Sequence, residues 1–107
     1  MEPLAMTSFT GASGKAYTFA VYPLGATLAD FSGVFMFARK PQAVLDTGYS
    51  PLFIGHSAEL GSHLGRHDKR AAALGQGADC LCVHPADAED SPAIADDLLK
   101  SHPTPCN

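Results

Sequence analysis

The sequence predicts an α+β fold: a small antiparallel β-sheet of three core strands, joined by an N-terminal strand or hairpin and flanked by helices. Three observations carry that expectation. Two apolar runs of strand length, 34–38 and 52–55, follow one another across a long polar connection. The second of them, and a third run at 79–84, are each followed by a segment with helical spacing of apolar residues. A chain of 107 residues is one domain with a modest core and too short for two. Within it, residues 1–30 read as an N-terminal strand or hairpin extension and residues 31–107 as the main body.

Gly11-Ala-Ser-Gly14 is a turn signal, and Tyr17, Phe19 and Val21 then alternate with smaller residues. A period of two marks a half-buried strand, stopped by Pro23 and Gly25. Met6–Thr10 is placed to pair with it as a hairpin. Residues 26–32 are a loop leading to Gly33.

Val34-Phe35-Met36-Phe37-Ala38 is continuously apolar, the pattern of a strand buried on both faces. Lys40-Pro41 and Asp46-Thr47-Gly48 bracket the connection to Leu52-Phe53-Ile54-Gly55. An antiparallel pair 33–39/51–55 is expected at the centre of the sheet. Ser57 is positioned to cap a following helix, with Glu59 in the first turn where the dipole favours an anion. Leu60 and Leu64 give its buried stripe, extended by Ala71 and Leu74. Gly61 and Gly65 each lower helix propensity by about 1 kcal/mol relative to Ala.

Asp79–His84 is the third core strand, closed by Pro85. Residues 86–91 form an acidic loop, with Ser91 as cap and Pro92 at the first helical position. Ile94, Leu98 and Leu99 give the helix 92–101 a short apolar face. The tail His102-Pro-Thr-Pro-Cys-Asn107 cannot continue it.

The formal net charge is −4, which argues against strong nonspecific nucleic-acid binding. The charge is uneven. Residues 1–78 carry six basic side chains against five acidic ones, whereas residues 79–107 carry Lys100 against six acids. A phosphate-facing surface therefore fits only the N-terminal two-thirds. No apolar run approaches the roughly 20 residues that span a bilayer, so no membrane partner is expected. Glu2 and the lack of a basic leader speak against a secretory signal. Three cysteines are an odd number for a disulfide framework; reduced, buried thiols and a cytoplasmic location are the expectation.

Gly33-Val34-Phe35, then Phe53-Ile54-Gly55, then a helix-like segment and a terminal Pro-x-Asn-like ending stand in an order that resembles the GIY-YIG nuclease superfamily. The resemblance covers residues 31–107. It implies a small antiparallel sheet flanked by helices and hydrolysis of phosphodiesters by water and one divalent metal. It also implies site residues: triad tyrosines that help activate water, a helix arginine that offsets phosphorane charge, a glutamate that holds the metal, and a late asparagine. Phe35 and Phe53 stand at the tyrosine positions, His63 at the arginine position, Ala95 at the glutamate position, and Asn107 matches the asparagine. Phenylalanine keeps ring packing and loses the hydroxyl that handles a proton. A neutral imidazole lacks the permanent bidentate charge of guanidinium. Arg66, about one turn on, is a candidate substitute for His63, and Asp96 a weak one for the glutamate.

The expectation is a domain that has lost nuclease chemistry and acts by binding. Its partner would be nucleic acid, held weakly and salt-sensitively through the ridge Arg66, Lys69 and Arg70, or a protein. No cofactor is then expected. The alternative is an active Mg-dependent endonuclease using Asp96, Arg66 and His63. Two metal readings remain beside these: His63 and His67 at i,i+4 behind His56, and Cys80, Cys82 and His84 on one strand face with Cys106 or His102. Buried core thiols account for the cysteines more simply.

Overall fold

A computed structural model describes residues 3–26, 28–40, 49–64, 69–104 and 106–107, with the backbone alone at residues 63, 64 and 69–71. The chain runs β1 (Ala5–Thr10), β2 (Ala16–Pro23), β3 (Gly33–Arg39), β4 (Ser50–Ser57), α1 (Leu60–Leu64), α2 (Lys69–Gly75), β5 (Cys80–Pro85) and α3 (Ser91–Ser101). The strands form one sheet in the order β1-β2-β5-β3-β4, and every neighbouring pair is antiparallel. The α+β class and the flanking helices are as the sequence predicts, and the N-terminal element is a full hairpin.

The sheet is centred elsewhere than expected. β3 and β4 do pair, with Phe37 opposite Phe53, but β4 is an edge strand. The middle belongs to β5, which pairs with β2 on one side and β3 on the other. The hairpin of β1 and β2 is part of this same sheet. Ala20 to Pro23 of the hairpin pair directly with the central strand.

β3 is buried on both faces because helices cover both. Val34, Met36 and Ala38 join Phe9, Phe19, Val21, Ile54, Cys80, Cys82, Ala95 and Leu98 in a layer beneath α3. Phe35 and Phe37 join Leu52, Leu60, Ala73, Leu81 and Val83 in a second layer, beneath α1 and α2. Each fully buried Phe, Leu or Val contributes roughly 1.5–3 kcal/mol of hydrophobic free energy.

The helices differ in detail from the sequence reading. The described part of the 57–75 region holds two short helices. Leu74 is exposed and Ala73 supplies the buried contact of α2. At α3 the N-cap is Asp90, which makes no side-chain cap bond. Ser91 lies inside the helix, buried, and its hydroxyl donates to the Asp87 carbonyl at 2.9 Å. Pro92 still stands in the first turn, where a missing N–H costs nothing. Among the described residues no helix is long and apolar enough to cross a membrane.

Candidate functional site

The aromatic patch on the α1/α2 face is built by register. Phe35 and Phe37 are two apart on β3 and point to the same side, and Phe53 sits opposite Phe37 on β4. The ring centroids of Phe35–Phe37, Phe35–Phe53 and Phe37–Phe53 are 5.5, 5.8 and 6.0 Å apart, in edge or tilted geometry. Such pairs add about 0.5–1.5 kcal/mol each beyond burial.

The triad glycines make room for this patch. A Cβ at Gly55 would lie 2.9 Å from Phe35 Cζ and 3.0 Å from Phe53 Cε1. At Gly33 a Cβ would collide with the carbonyl oxygen of His84 on the neighbouring strand. Both glycines therefore serve packing of the sheet. Phe35 is 0% exposed, whereas Phe53 is only half-buried.

α1 is set over this patch from its start. The Leu60 amide donates to the Phe31 carbonyl at 3.0 Å. Asp30 accepts from the Ser62 amide at 2.6 Å and from the Ser62 hydroxyl at 2.8 Å. Those bonds, hydroxyl first, hold the Asp30 carboxyl below the ordinary carboxylate range. Ser57 acts more locally, accepting from the Glu59 amide at 3.0 Å. The backbone of His63 lies in α1, and Lys69 and Arg70 open α2. Arg66 and His67 fall outside the described residues.

Asn107 has a defined task. Its side-chain oxygen accepts from the Ile54 amide and its side-chain nitrogen donates to the Ile54 carbonyl, both at 2.9 Å. The Cys106 amide donates to the Leu52 carbonyl, also at 2.9 Å. The tail thereby lies along the outer edge of β4.

Ala95 is on the other side of the sheet. It is 3% exposed and packs in the layer with Val34, Met36 and Ile54, away from Phe35 and Phe53. Asp96, next to it, is exposed and forms a 2.9 Å ion pair with Lys100. Of the five positions that the resemblance singles out, Phe35 and Phe53 lie on one face, Ala95 within the opposite layer and Asn107 at the rim, while the His63 backbone lies in α1.

Asp97, which carries no motif signal, organises more contacts than any of these. It accepts from the Ser13 amide at 2.8 Å, the Ser13 hydroxyl at 2.7 Å and the Tyr17 hydroxyl at 2.8 Å. Ser13 and Tyr17 hold its carboxyl below the usual range, and the bond to Asp97 pushes the Tyr17 phenol up. The GASG turn is thus fastened to α3. An 84-residue separation hides this pairing from any local pattern.

Cys80, Cys82 and His84 share a face but do not converge as a site. The Cys80 thiol donates to the Ala38 carbonyl at 3.3 Å, and His84 Nδ1 lies 2.7 Å from the Thr18 carbonyl. Hydrogen bonding to Cys80, together with burial, pushes the Cys82 thiol up, away from the thiolate that a metal requires. All three cysteines are free and buried. Among the described residues no group of three His, Cys, Asp or Glu side chains is gathered for a metal ion. An open cleft of about 600 Å³ lies beside Tyr22, Phe31, Ser32, Pro85, Ala86 and Asp87, at the end of β5.

Compared with protein-family models, with curated proteins and with solved structures, the chain gives no match.

Proposed function

We propose that this chain is a GIY-YIG-like domain without hydrolytic chemistry that acts by binding nucleic acid, with Arg66, Lys69 and Arg70 as the phosphate contacts. The observation that carries the reading is Ala95. The position that should hold a divalent metal offers no ligand atom and is sealed into the core beneath α3. An alanine at this position does not fit a catalytic Mg²⁺. Phe35 and Phe53 likewise offer no oxygen to orient a water. Loss of the metal ligand and of the permanent charge at His63 removes the two largest electrostatic contributions to phosphodiester cleavage.

A polyanion such as nucleic acid suits the α1/α2 side because the basic surplus of residues 1–78 includes that helical stretch. Three contacts give weak binding whose logarithm falls with log salt at a slope of about −2.7 on duplex DNA. A cytoplasmic setting suits three reduced thiols.

Two assays decide between binding and cleavage. Single- and double-stranded DNA incubated with the protein and Mg²⁺ or Mn²⁺ should stay intact. Metal-dependent cleavage that Asp96→Ala abolishes would overturn the reading in favour of an endonuclease using displaced groups. In mobility-shift titrations, replacing Arg66, Lys69 and Arg70 together by Ala should remove the shift; an unchanged shift would show that the ridge is not the contact.

A further inference from the structure

The two edges of the sheet are finished in different ways. On β4, the outward groups of Leu52 and Ile54 are taken by the C-terminal tail through the Cys106 amide and the Asn107 side chain. On β1, the Gly11 amide donates to the Lys15 carbonyl at 2.9 Å, which fixes the phase of the ladder. Odd-numbered residues of β1 turn their N–H and C=O toward β2, and Met6, Ser8 and Thr10 turn theirs outward. The Thr10 carbonyl is met by Ser101 Oγ at 2.8 Å and His102 Nε2 at 3.0 Å. Among the described residues, nothing pairs with the outward backbone groups of Met6 and Ser8.

β1 also lacks the devices that blunt an edge. Its register with β2 is unbroken from Ala5 to Thr10, and the strand, AMTSFT, has no charge and no proline. Residues 3–26 contain a single charged side chain, Lys15, in a chain with seven basic and eleven acidic residues. Met6, on the face that α1 and α2 leave uncovered at this end, is 60% exposed, and Leu4, just ahead of the strand with its amide on the Val21 carbonyl, is 63% exposed.

We propose that β1 is a self-association edge, on which a second copy of this chain lays its own β1 antiparallel across a twofold axis. Under that symmetry the outward N–H and C=O groups of Met6 and Ser8 meet the same groups of the partner, each donor facing an acceptor. The twofold axis keeps each face of the strand on the same side in both copies, so the exposed Met6 side chains of the two copies lie diagonally beside one another. The charge pattern selects the occupant. Two copies of a chain with net charge −4 repel one another over most orientations, and this hairpin, whose single charge is the positive Lys15, is a surface by which they can approach. The contact is a short strand, so association is weak and concentration-dependent.

Sedimentation equilibrium on the full chain tests this. The average mass should rise from 11.2 kDa toward twice that value as concentration approaches about 1 mM. Amide exchange at Met6 and Ser8 should slow over the same range. Met6→Lys places a charge on an exposed side chain, and Ser8→Pro removes an outward N–H without touching the β1–β2 ladder. Both should keep the chain at monomer mass, and either alone suffices if the other fails to fold. A chain that stays monomeric throughout overturns the proposal and leaves the edge to a strand of another protein. A dimer that both variants leave intact, with Met6 and Ser8 exchanging freely, overturns it equally.

Discussion

On the face covered by α3, the rings of Phe9 and Phe19 pack under the hairpin end and Val34, Met36, Cys80, Cys82, Ala95 and Leu98 fill the rest of the space between sheet and helix. On the face covered by α1 and α2, Phe35 and Phe37 pack with Leu52, Leu60, Ala73, Leu81 and Val83, and the filling thins toward the hairpin, where Tyr22, Leu24, Leu28 and Phe31 are only partly buried. Among the described residues α3 packs chiefly on β1, β3 and β4, and α1 and α2 chiefly on β3 and β4. One face is sealed and the other half open. The α3 face holds Ala95, the position that the proposed GIY-YIG resemblance assigns to the metal ligand, and among the described residues the α1/α2 face is the less covered of the two. Substitutions on the two faces should accordingly differ in kind and size.

The largest effect is expected from Ala95→Glu. It drives a carboxylate among Val34, Met36 and Leu98, where no donor waits for it, and should cost about 3 kcal/mol in denaturant unfolding. A variant as stable as the parent would mean that the α3 layer opens to solvent at this point, and the distinction between the faces would fail.

Phe35→Tyr probes the other face at its deepest point. The ring is fully buried and Phe53 packs against it, so the added hydroxyl has to be desolvated. A loss of about 1–3 kcal/mol is expected, read from the same unfolding curves. No loss would mean that the hydroxyl finds a polar partner, reviving the water-positioning role.

Asp97→Asn tests how the sealed face is fastened to the hairpin. The carboxyl of Asp97 is lowered in the folded state by Ser13 and Tyr17. A depressed pKa stabilises the fold at pH values above the unfolded pKa, and the contribution is lost as pH falls through the folded one. The variant should therefore melt below the parent at neutral pH, and the gap should close as pH falls below the ordinary carboxylate range. A gap that stays constant with pH would remove the charge from the explanation. Because the Tyr17 phenol is raised by the same bond, its contribution is present below the unfolded phenol pKa and fades as pH rises through the folded one.

Much of this architecture is legible in the sequence because it is local. Alternation at Tyr17, Phe19 and Val21 marks β2, the unbroken run 34–38 marks a strand covered on both sides, and Leu98 marks the buried side of α3. The order of strands is not legible, since β5 enters between β2 and β3 by pairing across about 60 residues for Val21–Cys82 and about 45 for Met36–Cys82. In the sequence the apolar face of α3 reads as Ile94, Leu98 and Leu99; that Ala95 is buried beside Leu98, and on which face of the sheet, does not follow from it. The polar fastenings, Asp30 to Ser62 and Asp97 to Ser13, join residues with no shared motif and leave no periodic trace. Asn107 is legible as a terminal side chain that pins the tail, but its partner Ile54 is not.

The smallest effect belongs to Phe53→Tyr, and its smallness is informative. Phe53 is half-buried at the edge strand, so a para hydroxyl reaches solvent without displacing the ring from Phe35 and Phe37. Stability should change by no more than about 0.5 kcal/mol. The substitution also restores one oxygen of the nuclease pattern on the accessible face. Mg²⁺-dependent cleavage of DNA should nevertheless stay at background, because one phenol supplies neither a metal ligand nor a permanent cation beside the phosphate. Cleavage appearing in this variant would show that the remaining groups on the α1/α2 side already form a working site, and that the face without Ala95 is sufficient for chemistry.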